Sequence, residues 1–322
     1  MLRSGLSLKW LEVFQLAANL GSVKMVAKET GLSVSTVSHH LRSLEDHLGV
    51  DLLDHSRRPM MLTPAGGIFL KHIDEALTLI RKAQATIVSG NVLEARKLRL
   101  GLVEDFDSNI APELAVYLAS GMPNCDFTHR TASSHQILEL LRQRHIDIGV
   151  ANRPGERVLD LQETPFLRDP FVLAAPLNCP YTPDELLAGT GTVSFLRYSS
   201  SQMISGQIET HLRRLRISLP HRFELESNQT MMAMIASSSG WAVTTPLSYM
   251  QAQNFHSQVR LHPFPGKGFA RNISVFATPE CAEATQVFVN GILQNLVQKR
   301  ALQPVHESMP WLADLFRLSI GD

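Results

Sequence analysis

The chain has 322 residues, 44% of them hydrophobic and 19% charged, the composition of an ordinary soluble protein with enough apolar residues for more than one core. Thirty basic residues balance thirty acidic ones, so affinity for a polyanion would have to come from local clusters of charge. The sequence shows no signal peptide, no membrane span of about 20 apolar residues and no metal-ligand spacing of its cysteines, and we expect a cytoplasmic protein of two or three domains without metal or cofactor.

Two short helices are predicted first. Apolar residues at helical spacing indicate a helix that begins near Leu8 and ends at Gly21. A second helix, from Val23 to Thr30, ends at Gly31, where a residue without a Cβ can adopt the positive φ of a tight turn. Ser33 is then placed to cap a third helix.

The third helix has one aliphatic and one polar face. Its predicted inward residues are Val34, Val37, Leu41, Leu44 and Leu48. Two helices joined by a short turn, the second with small hydrogen-bonding side chains, have the geometry that enters a DNA major groove. The candidate groove contacts are Ser33, Ser35, Thr36, Ser38, His39 and Arg42. An amphipathic helical hairpin whose polar face meets only water is the alternative.

The next segment favours the DNA interpretation. GVDLLDHSRRPMMLTPAG contains two short apolar runs around a turn with Arg57, Arg58 and Pro59, which predicts a β-hairpin wing with cations at its tip. Such a tip can contact phosphates or the minor groove, and these contacts position a protein without reading sequence.

The run AKETGLSVSTVSHHLRSLEDHLGVDLLDHSRRPMMLTPAG closely resembles the DNA-binding region of LysR-type transcriptional regulators. The resemblance implies an all-α winged helix-turn-helix over residues 1–63, followed by a long linker helix over residues 64–93 that pairs two copies. The apolar stripe suited to that pairing is Ile68, Ile73, Leu77, Ile80, Ala83 and Ile87. Two residues depart from the usual pattern: Val34 replaces a polar residue, and His55 replaces an arginine.

Strands alternate with helices from Lys97 onward, which predicts an α/β fold with parallel strands. This order of elements resembles the two-lobed, periplasmic-binding-protein-like effector domain of the same family. We place that domain at residues 94–301, with lobe one at 94–166 and 268–301 and lobe two at 167–267. The chain is expected to cross between lobes at residues 164–169 and 260–269.

The family's effector positions can be carried over to this sequence. They are Glu104, Asp105, Phe106, Ser133, Ser134, Tyr198, Ser199, Ser200 and Asn228. Many members have a neutral hydroxyl where this chain has Glu104 and Asp105, with Asp107 close by, so we hypothesise an effector with a positive nitrogen, held partly by cation–π contact with Phe106 or Tyr198. The alternative, which we favour, is that Asp105 or Asp107 caps a helix that begins near Ser108.

The resemblance also implies a homotetramer built from two dimers, in which effector binding changes how paired DNA-binding domains meet bent DNA. The partners are therefore double-stranded DNA, a small molecule and further copies of the chain. The tail, residues 302–322, is expected to dock on its own domain rather than on another subunit. An enzyme and a solute-binding protein are the rival interpretations, but no catalytic motif is apparent and a winged helix would be useless to a solute carrier.

Overall fold

A computed structural model describes residues 5–57, 59–88, 96–156 and 158–319, and the chain divides after Val88 into an N-terminal and a C-terminal unit. The N-terminal unit consists of three helices, a short hairpin and a long helix. These are α1 (Leu8–Leu20), α2 (Val23–Thr30), α3 (Val34–Leu48), β1 (Leu53–Asp54), β2 (Met61–Leu62) and α4 (Pro64–Val88).

The predicted helix boundaries of the helix-turn-helix are confirmed by the local geometry. Gly31 ends α2 with φ at +68°, and the Ser33 side chain caps α3 by accepting a hydrogen bond from the Thr36 amide. The centre of the predicted apolar face, Val37, Leu41 and Leu44, is buried against α1 and α2. The two residues at the ends of this predicted face, Val34 and Leu48, are exposed and not buried.

Val34 is 47% exposed and Leu48 is also exposed, because they occupy the first and last turns of α3, beyond the helices that cover its middle. The apolar contact surface of α3 is therefore one turn shorter at each end than the sequence pattern indicates. Val34 stands beside the polar face instead of facing the core.

The hairpin is packed closely on the rest of the N-terminal unit. Leu53 pairs with Leu62, and the buried side chains of Leu52 and Leu53 face the core. A Cβ at Gly66, in the first turn of α4, would lie 2.0 Å from the carbonyl oxygen of Leu52. Only glycine allows α4 to begin this close to the hairpin.

Part of the apolar stripe of α4 packs against the N-terminal unit of the same chain. Ile73 and Leu77 are buried in the core of the N-terminal unit, whereas Ile68 is 68% exposed. The side chains of Ala83 and Ile87, and the predicted helix end at residues 89–93, lie outside the described residues. The part of the stripe that a second copy could contact is therefore smaller than predicted.

The C-terminal unit contains two sheets, each covered by helices, as the sequence predicts for a two-lobed α/β fold. In lobe one the elements are β3 (Lys97–Leu102), α5 (Ala111–Gly121), β4 (Asp126–Thr131), α6 (Ser134–Arg142), β5 (Ile148–Asn152) and β6 (Gln162–Pro170). Those of lobe two are β7 (Val172–Pro176), α7 (Pro183–Leu187), β8 (Ser194–Tyr198), α8 (Met203–Arg214), β9 (Phe223–Leu225), α9 (Asn228–Ala236), β10 (Gly240–Thr244), α10 (Pro246–Gln251) and β11 (Val259–Pro263). The chain then returns to lobe one with β12 (Ala270–Ala277), α11 (Glu283–Val297), α12 (Gln303–Ser308) and β13 (Arg317–Leu318).

The strand order is β13-β6-β12-β5-β3-β4 in lobe one and β11-β7-β10-β8-β9 in lobe two. Strand β3 runs parallel to β4 and β5, whereas β12 runs antiparallel to both β5 and β6. The sheet of lobe one is therefore mixed, and not purely parallel.

The two crossings between lobes lie side by side. The first is the single residue Phe171 between β6 and β7, because residues 164–169, where we expected it, belong to β6. The second is the segment 264–269 between β11 and β12. The Phe171 amide donates a hydrogen bond to the Phe269 carbonyl (2.9 Å), and the two rings stack with centroids 4.2 Å apart.

The C-terminal tail packs on lobe one, as we expected. Strand β13 pairs antiparallel with β6, and Leu312 and Phe316 are fully buried. Arg168 Nη1 donates to the carbonyl of Leu315 (2.6 Å), and His306 Nε2 lies 2.8 Å from the carbonyl of Phe316. The tail thus forms one edge of the sheet in lobe one.

Throughout the described part of the chain, every helix is too short or too polar to cross a bilayer.

Candidate functional site

The polar face of α3 carries a connected group of hydroxyls. Ser33 Oγ lies 2.8 Å from Ser35 Oγ and 2.7 Å from Thr36 Oγ1, and Ser38 Oγ donates to the Val34 carbonyl (2.9 Å). These hydroxyls are short and already oriented by the helix, so they form a shallow hydrogen-bonding surface rather than a set of extended side chains. Such a surface allows close approach of a groove floor.

Two longer side chains stand on the same face. His39 and Arg42 are both exposed, and within the described residues Arg42 forms no ion pair. A guanidinium without a partner next to small hydroxyls can donate two hydrogen bonds to the acceptor edge of a guanine. All six predicted groove residues thus lie within the first three turns of α3 or at its cap.

Helix α3 and the hairpin are joined by Glu45, a residue that no local sequence pattern indicates. This buried carboxylate accepts hydrogen bonds through Oε1 from the amides of Leu52 (2.9 Å) and Leu53 (3.0 Å). Its Oε2 lies 2.9 Å from Nε2 of His55. The unusual histidine of the wing is therefore part of the contact that fixes the wing to α3.

The predicted wing tip is only partly described. Arg57 is 67% exposed, and its Nε lies 3.1 Å from Oδ2 of Asp54, whose pKa is lowered by hydrogen bonds from Ser56 and by Arg57. Arg58 lies outside the described residues. Arg57 can exchange its exposed carboxylate partner for a phosphate, because ion pairs at the surface are weak.

The turn after β3 contains Glu104, Asp105 and Asp107, and this acidic turn contacts lobe two directly. Glu104 accepts hydrogen bonds from Ser227 Oγ (3.0 Å) and from the amide of Asn228 (3.2 Å) at the N-terminus of α9. Burial raises the pKa of this carboxyl, against the lowering effect of those hydrogen bonds, and the charges of Asp105 and Asp107 raise it further. Glu104 therefore joins the two lobes by occupying a helix N-terminus.

The neighbouring Asp105 belongs to a buried ionic network. Its Oδ1 lies 3.1 Å from Nη2 of Arg271 and accepts hydrogen bonds from Ser248 Oγ (2.6 Å) and Asn228 Nδ2 (3.2 Å). Arg271 also contacts Asp169, with Nε 2.8 Å from Oδ2. Burial tends to lower the pKa of Arg271, but Asp105 and Asp169 outweigh it and raise that pKa.

The acidic turn does not cap the helix that follows it in the chain. Helix α5 begins at Ala111, and its N-cap Ile110 has no side-chain hydrogen bond. Asp107 instead accepts a hydrogen bond from Thr131 Oγ1 (2.5 Å). Neither the capping interpretation nor the uncompensated acidic turn that we expected is found, since each carboxylate has partners within the protein. The reason for expecting a cationic effector is thereby removed.

Tyr198 and Asn228, two of the effector positions named from the resemblance, belong to this network. The Tyr198 hydroxyl donates to Asn228 Oδ1 (3.1 Å) and lies 2.7 Å from Thr244 Oγ1, and burial raises its pKa. Phe106 does not join it, because its ring is fully buried in the apolar core, 6.3 Å from that of Phe166. A cation–π contact between Phe106 and a ligand is therefore excluded in this conformation.

The serines at the predicted effector positions form hydrogen bonds within their own lobes. Ser133 caps α6 together with Gln136, and Ser134 Oγ accepts a hydrogen bond from the Asn152 amide (3.0 Å). The other two are in lobe two: Ser199 Oγ lies 3.0 Å from Ser201 Oγ, and Ser200 donates to Glu224. None of these hydrogen bonds joins the two lobes.

The described residues include no group of three or more side chains that could hold a metal ion. Burial raises the pKa of Cys281 to about 11 and also raises that of Cys125. Neither thiol has the lowered pKa that gives cysteines their reactivity.

Two family models match the chain. The one described as "Bacterial regulatory helix-turn-helix protein, lysR family" covers residues 8–67, and the one described as "LysR substrate binding domain" covers residues 92–296. The chain is 28% identical over 248 residues to the uncharacterized HTH-type transcriptional regulator YfeR of Shigella flexneri, a match that covers 75% of this chain and 79% of that protein. It is 26% identical over 267 residues to CbbR of Sinorhizobium medicae, which covers 79% of this chain and 80% of that regulator.

Solved structures share the fold. A peroxide-bound OxyR mutant from Corynebacterium glutamicum matches with a TM-score of 0.55 at 19% identity, over 91% of this chain and 93% of that one. DarR from Vibrio fischeri, solved in complex with DNA, matches with a TM-score of 0.51 at 18% identity, over 90% and 99% of the respective chains. At these identities the likeness concerns the architecture alone.

Proposed function

The chain belongs to the LysR family of bacterial transcriptional regulators, and on that basis we propose that it binds specific sites in double-stranded DNA under the control of a small molecule held between the two lobes. Regulators of this family are not enzymes, which removes the catalytic alternative, and the helix-turn-helix unit removes the solute-carrier alternative. Because its target is chromosomal DNA, we place the protein in the cytoplasm.

The observation that carries the DNA-binding proposal is the exposed face of α3. Its cap and first turns present oriented hydroxyls, while Arg42 stands exposed one turn further on. In the proposed complex the hydroxyls of Ser33, Ser35, Thr36 and Ser38 contact the backbone and base edges, and His39 and Arg42 reach the bases. Arg57 and Arg58 contact phosphates of the DNA backbone.

For the control of DNA binding, the proposal rests on the contacts between the lobes. Glu104 and Asp105 from lobe one bond to Asn228 and Ser248 from lobe two, so any change in the angle between the lobes must break or reform these hydrogen bonds. A ligand shifts that equilibrium only if its affinity differs between the two arrangements. The effector positions named from the resemblance remain part of this proposal where they border the inter-lobe contact.

We also propose that the protein is a homodimer through α4 and a homotetramer through its C-terminal units, as the resemblance implies. Ile68, which is 68% exposed on α4, is one residue of the predicted stripe that a second copy could contact. Sedimentation of the full chain at several concentrations tests the state directly, and an Ile68→Glu variant should sediment as a smaller species.

The DNA-binding proposal is tested by using the full chain to select bound duplexes from a random library. The affinity of the chain for the selected duplexes is then measured. We expect an inverted repeat whose half-sites are spaced by whole helical turns. Replacing Arg42 with Ala should weaken binding to the selected site by about 1–3 kcal/mol and leave binding to random duplex nearly unchanged. If no sequence is enriched and attachment to duplexes does not depend on salt, the proposal fails.

A further inference from the structure

Two arginines face each other where the C-terminal tail joins the sheet of lobe one. In the antiparallel pair of β13 and β6, Arg317 lies directly opposite Arg168. Directly opposite residues of antiparallel strands point to the same face of the sheet, with Cβ atoms about 4.5–5.5 Å apart. The two arginine side chains therefore start from neighbouring points on one face of the sheet.

This face of the sheet is open to solvent around the two arginines. Arg317 is exposed and Arg168 is partly exposed, whereas the preceding residues, Phe316 and Leu167, are fully buried on the other face. On the far side of β6, Asn272 of β12 lies directly opposite Arg168 and is exposed as well. Arg317, Arg168 and Asn272 thus form a row across three adjacent strands, which we call the arginine row.

The positive charge of the arginine row is not balanced by any carboxylate within the described residues. The ion pairs of the C-terminal unit include neither Arg168 nor Arg317. Partial burial and the charge of Arg317 both lower the pKa of Arg168. Like charges directly opposite each other destabilise a strand pair. An anion bound at the row would remove this repulsion.

The row also has hydrogen-bond donors that the described part of the protein does not use. Of the five N–H groups of Arg168, one at Nη1 donates to the Leu315 carbonyl (2.6 Å), and Asn272 adds an exposed side-chain amide. A single guanidinium can pair with both oxygens of a carboxylate. Two guanidinium groups on facing strands, about 5 Å apart at their Cβ atoms, are better matched by an anion with more than two oxygens. A phosphate group has that number of oxygens.

The position of the row is distinct from the inter-lobe contact. Arg317 lies beyond residue 296, where the match to the substrate-binding family model ends. Arg168 lies on β6 shortly before Phe171, the first crossing between the lobes. A ligand bound at the row would therefore join the tail to the strand that leads into that crossing.

We propose that the arginine row binds a phosphate group, either as inorganic phosphate or as part of a phosphate ester, at a site additional to that of the effector. The phosphate oxygens accept hydrogen bonds from Arg168 and Arg317, and the Asn272 amide donates another. Binding replaces the repulsion between β13 and β6 with attraction to a shared anion. The phosphate thereby stabilises the docking of the tail on lobe one.

The test titrates the full chain by calorimetry with inorganic phosphate and with glycerol 3-phosphate, above the second pKa of phosphate at about 6, with acetate as the control anion at matched ionic strength. We expect both phosphates to bind more tightly than acetate, and the ratio of their affinities distinguishes a free phosphate from an ester. Arg317→Gln should weaken phosphate binding about tenfold or more, because a charged donor is lost. Arg260→Gln, which changes an exposed arginine opposite Ala175 on β11, should leave it unchanged.

Amide hydrogen exchange locates the bound phosphate, because the DNA-binding face can also attract this anion. The Ser319 amide donates to the Phe166 carbonyl (2.8 Å), so its exchange reports the pairing of the tail with β6. Phosphate should slow exchange at Ser319 in the unaltered chain but not in the Arg317→Gln variant. Without phosphate, Arg317→Gln should be at least as stable as the unaltered chain, since it removes a repulsion. An arginine with a purely structural role would give a loss of stability instead.

The proposal is overturned if acetate binds as tightly as phosphate or if Arg317→Gln and Arg260→Gln lose affinity equally. It is also overturned if phosphate protects Ser319 equally with and without Arg317, because general exclusion of phosphate from the protein surface would produce that result. Asp322→Asn tests for a counter-ion within the chain. If phosphate binds to this variant alone, the chain supplies its own anion and the proposal is wrong.

Discussion

Asp105 and Arg271 form a buried ion pair, with 3.1 Å between Oδ1 and Nη2, at the junction of the two lobes. The guanidinium is shared with Asp169, so one cation balances two carboxylates in a region without solvent. Burial raises the pKa of Asp169 in spite of Arg271. The stability of the C-terminal unit therefore depends on this single arginine.

We expect Arg271→Gln to destabilise the C-terminal unit by about 3–5 kcal/mol, because it leaves two carboxylates buried without a counter-ion. Urea unfolding followed by circular dichroism measures this loss. The matched control is Arg300→Gln, since the exposed pair of Arg300 with Glu113 should contribute no more than about 1 kcal/mol. Equal losses in both variants would show that the buried network is not needed for stability.

The raised pKa of Glu104 should be measurable in the pH dependence of stability. Its pKa is raised mainly by burial, so the folded state holds more protons than the unfolded state just above the ordinary value of 4.5, and stability falls as pH rises through that window. Glu104→Gln keeps a hydrogen-bonding group but cannot ionise. The free energy of unfolding of this variant should therefore decline less between the acidic end of the window and neutrality.

The control residue for Glu104 is Glu185, whose pKa is shifted in the opposite direction. Hydrogen bonds from Thr182 lower the pKa of Glu185, so its contribution to stability is present above its ordinary pKa and is lost on acidification. Glu185→Gln should thus reduce the loss of stability at low pH. If both variants changed the pH dependence in the same direction, the account of Glu104 would be wrong.

Glu45 should be essential for the wing. Glu45→Ala leaves the amides of Leu52 and Leu53 buried without acceptors, which should destabilise the N-terminal unit by about 1–3 kcal/mol for each donor that finds no new partner. Unfolding curves and amide hydrogen exchange at residues 52 and 53 measure the effect. Glu12→Ala, which removes only an exposed contact with Lys9, should change stability by less than about 0.5 kcal/mol.

Arg57 should contribute equally to the affinity for all DNA sequences. Arg57→Gln is expected to weaken binding to selected and random duplexes equally and to reduce the slope of log K against log salt concentration by about 1, because one phosphate contact is lost. Arg142→Gln, on the C-terminal unit, should leave the slope unchanged. A loss confined to the selected site would mean that Arg57 reads bases.

The tail should be needed for a stable lobe one. Phe316→Ala removes a fully buried ring and should destabilise the C-terminal unit by about 3–5 kcal/mol. Leu315→Ala, an adjacent and exposed position, should stay within about 0.5 kcal/mol of the unaltered protein. Thermal or urea unfolding compares the two, and similar values would show that the tail is not part of the folded domain.

The sequence predicted the elements whose signals are local. The turn at Gly31, the cap at Ser33 and the alternation of strands with helices after Lys97 are set by residues close together in the chain, and the structure confirms them. Strand β6 was missed because it contains Pro165 and Pro170. The structure places Pro165 next to a bulge opposite β12, one of the positions where a strand tolerates proline.

The ionic contacts were missed for a different reason. Glu45 lies on a helix with no unusual spacing, and the partners of Arg271 come from segments far away in the sequence. The one local signal was a lone arginine beside the apolar run of β12. The same limitation explains the cationic-effector hypothesis, since the acidic turn could be seen in the sequence but its partners could not.

The first crossing between the lobes, Phe171, provides only two backbone dihedral angles between strands β6 and β7. Large swings of one lobe against the other would need both strands to lose pairing, because so short a connection cannot absorb them. Relative motion is thus expected to be elastic bending through small angles, spread over many peptide units.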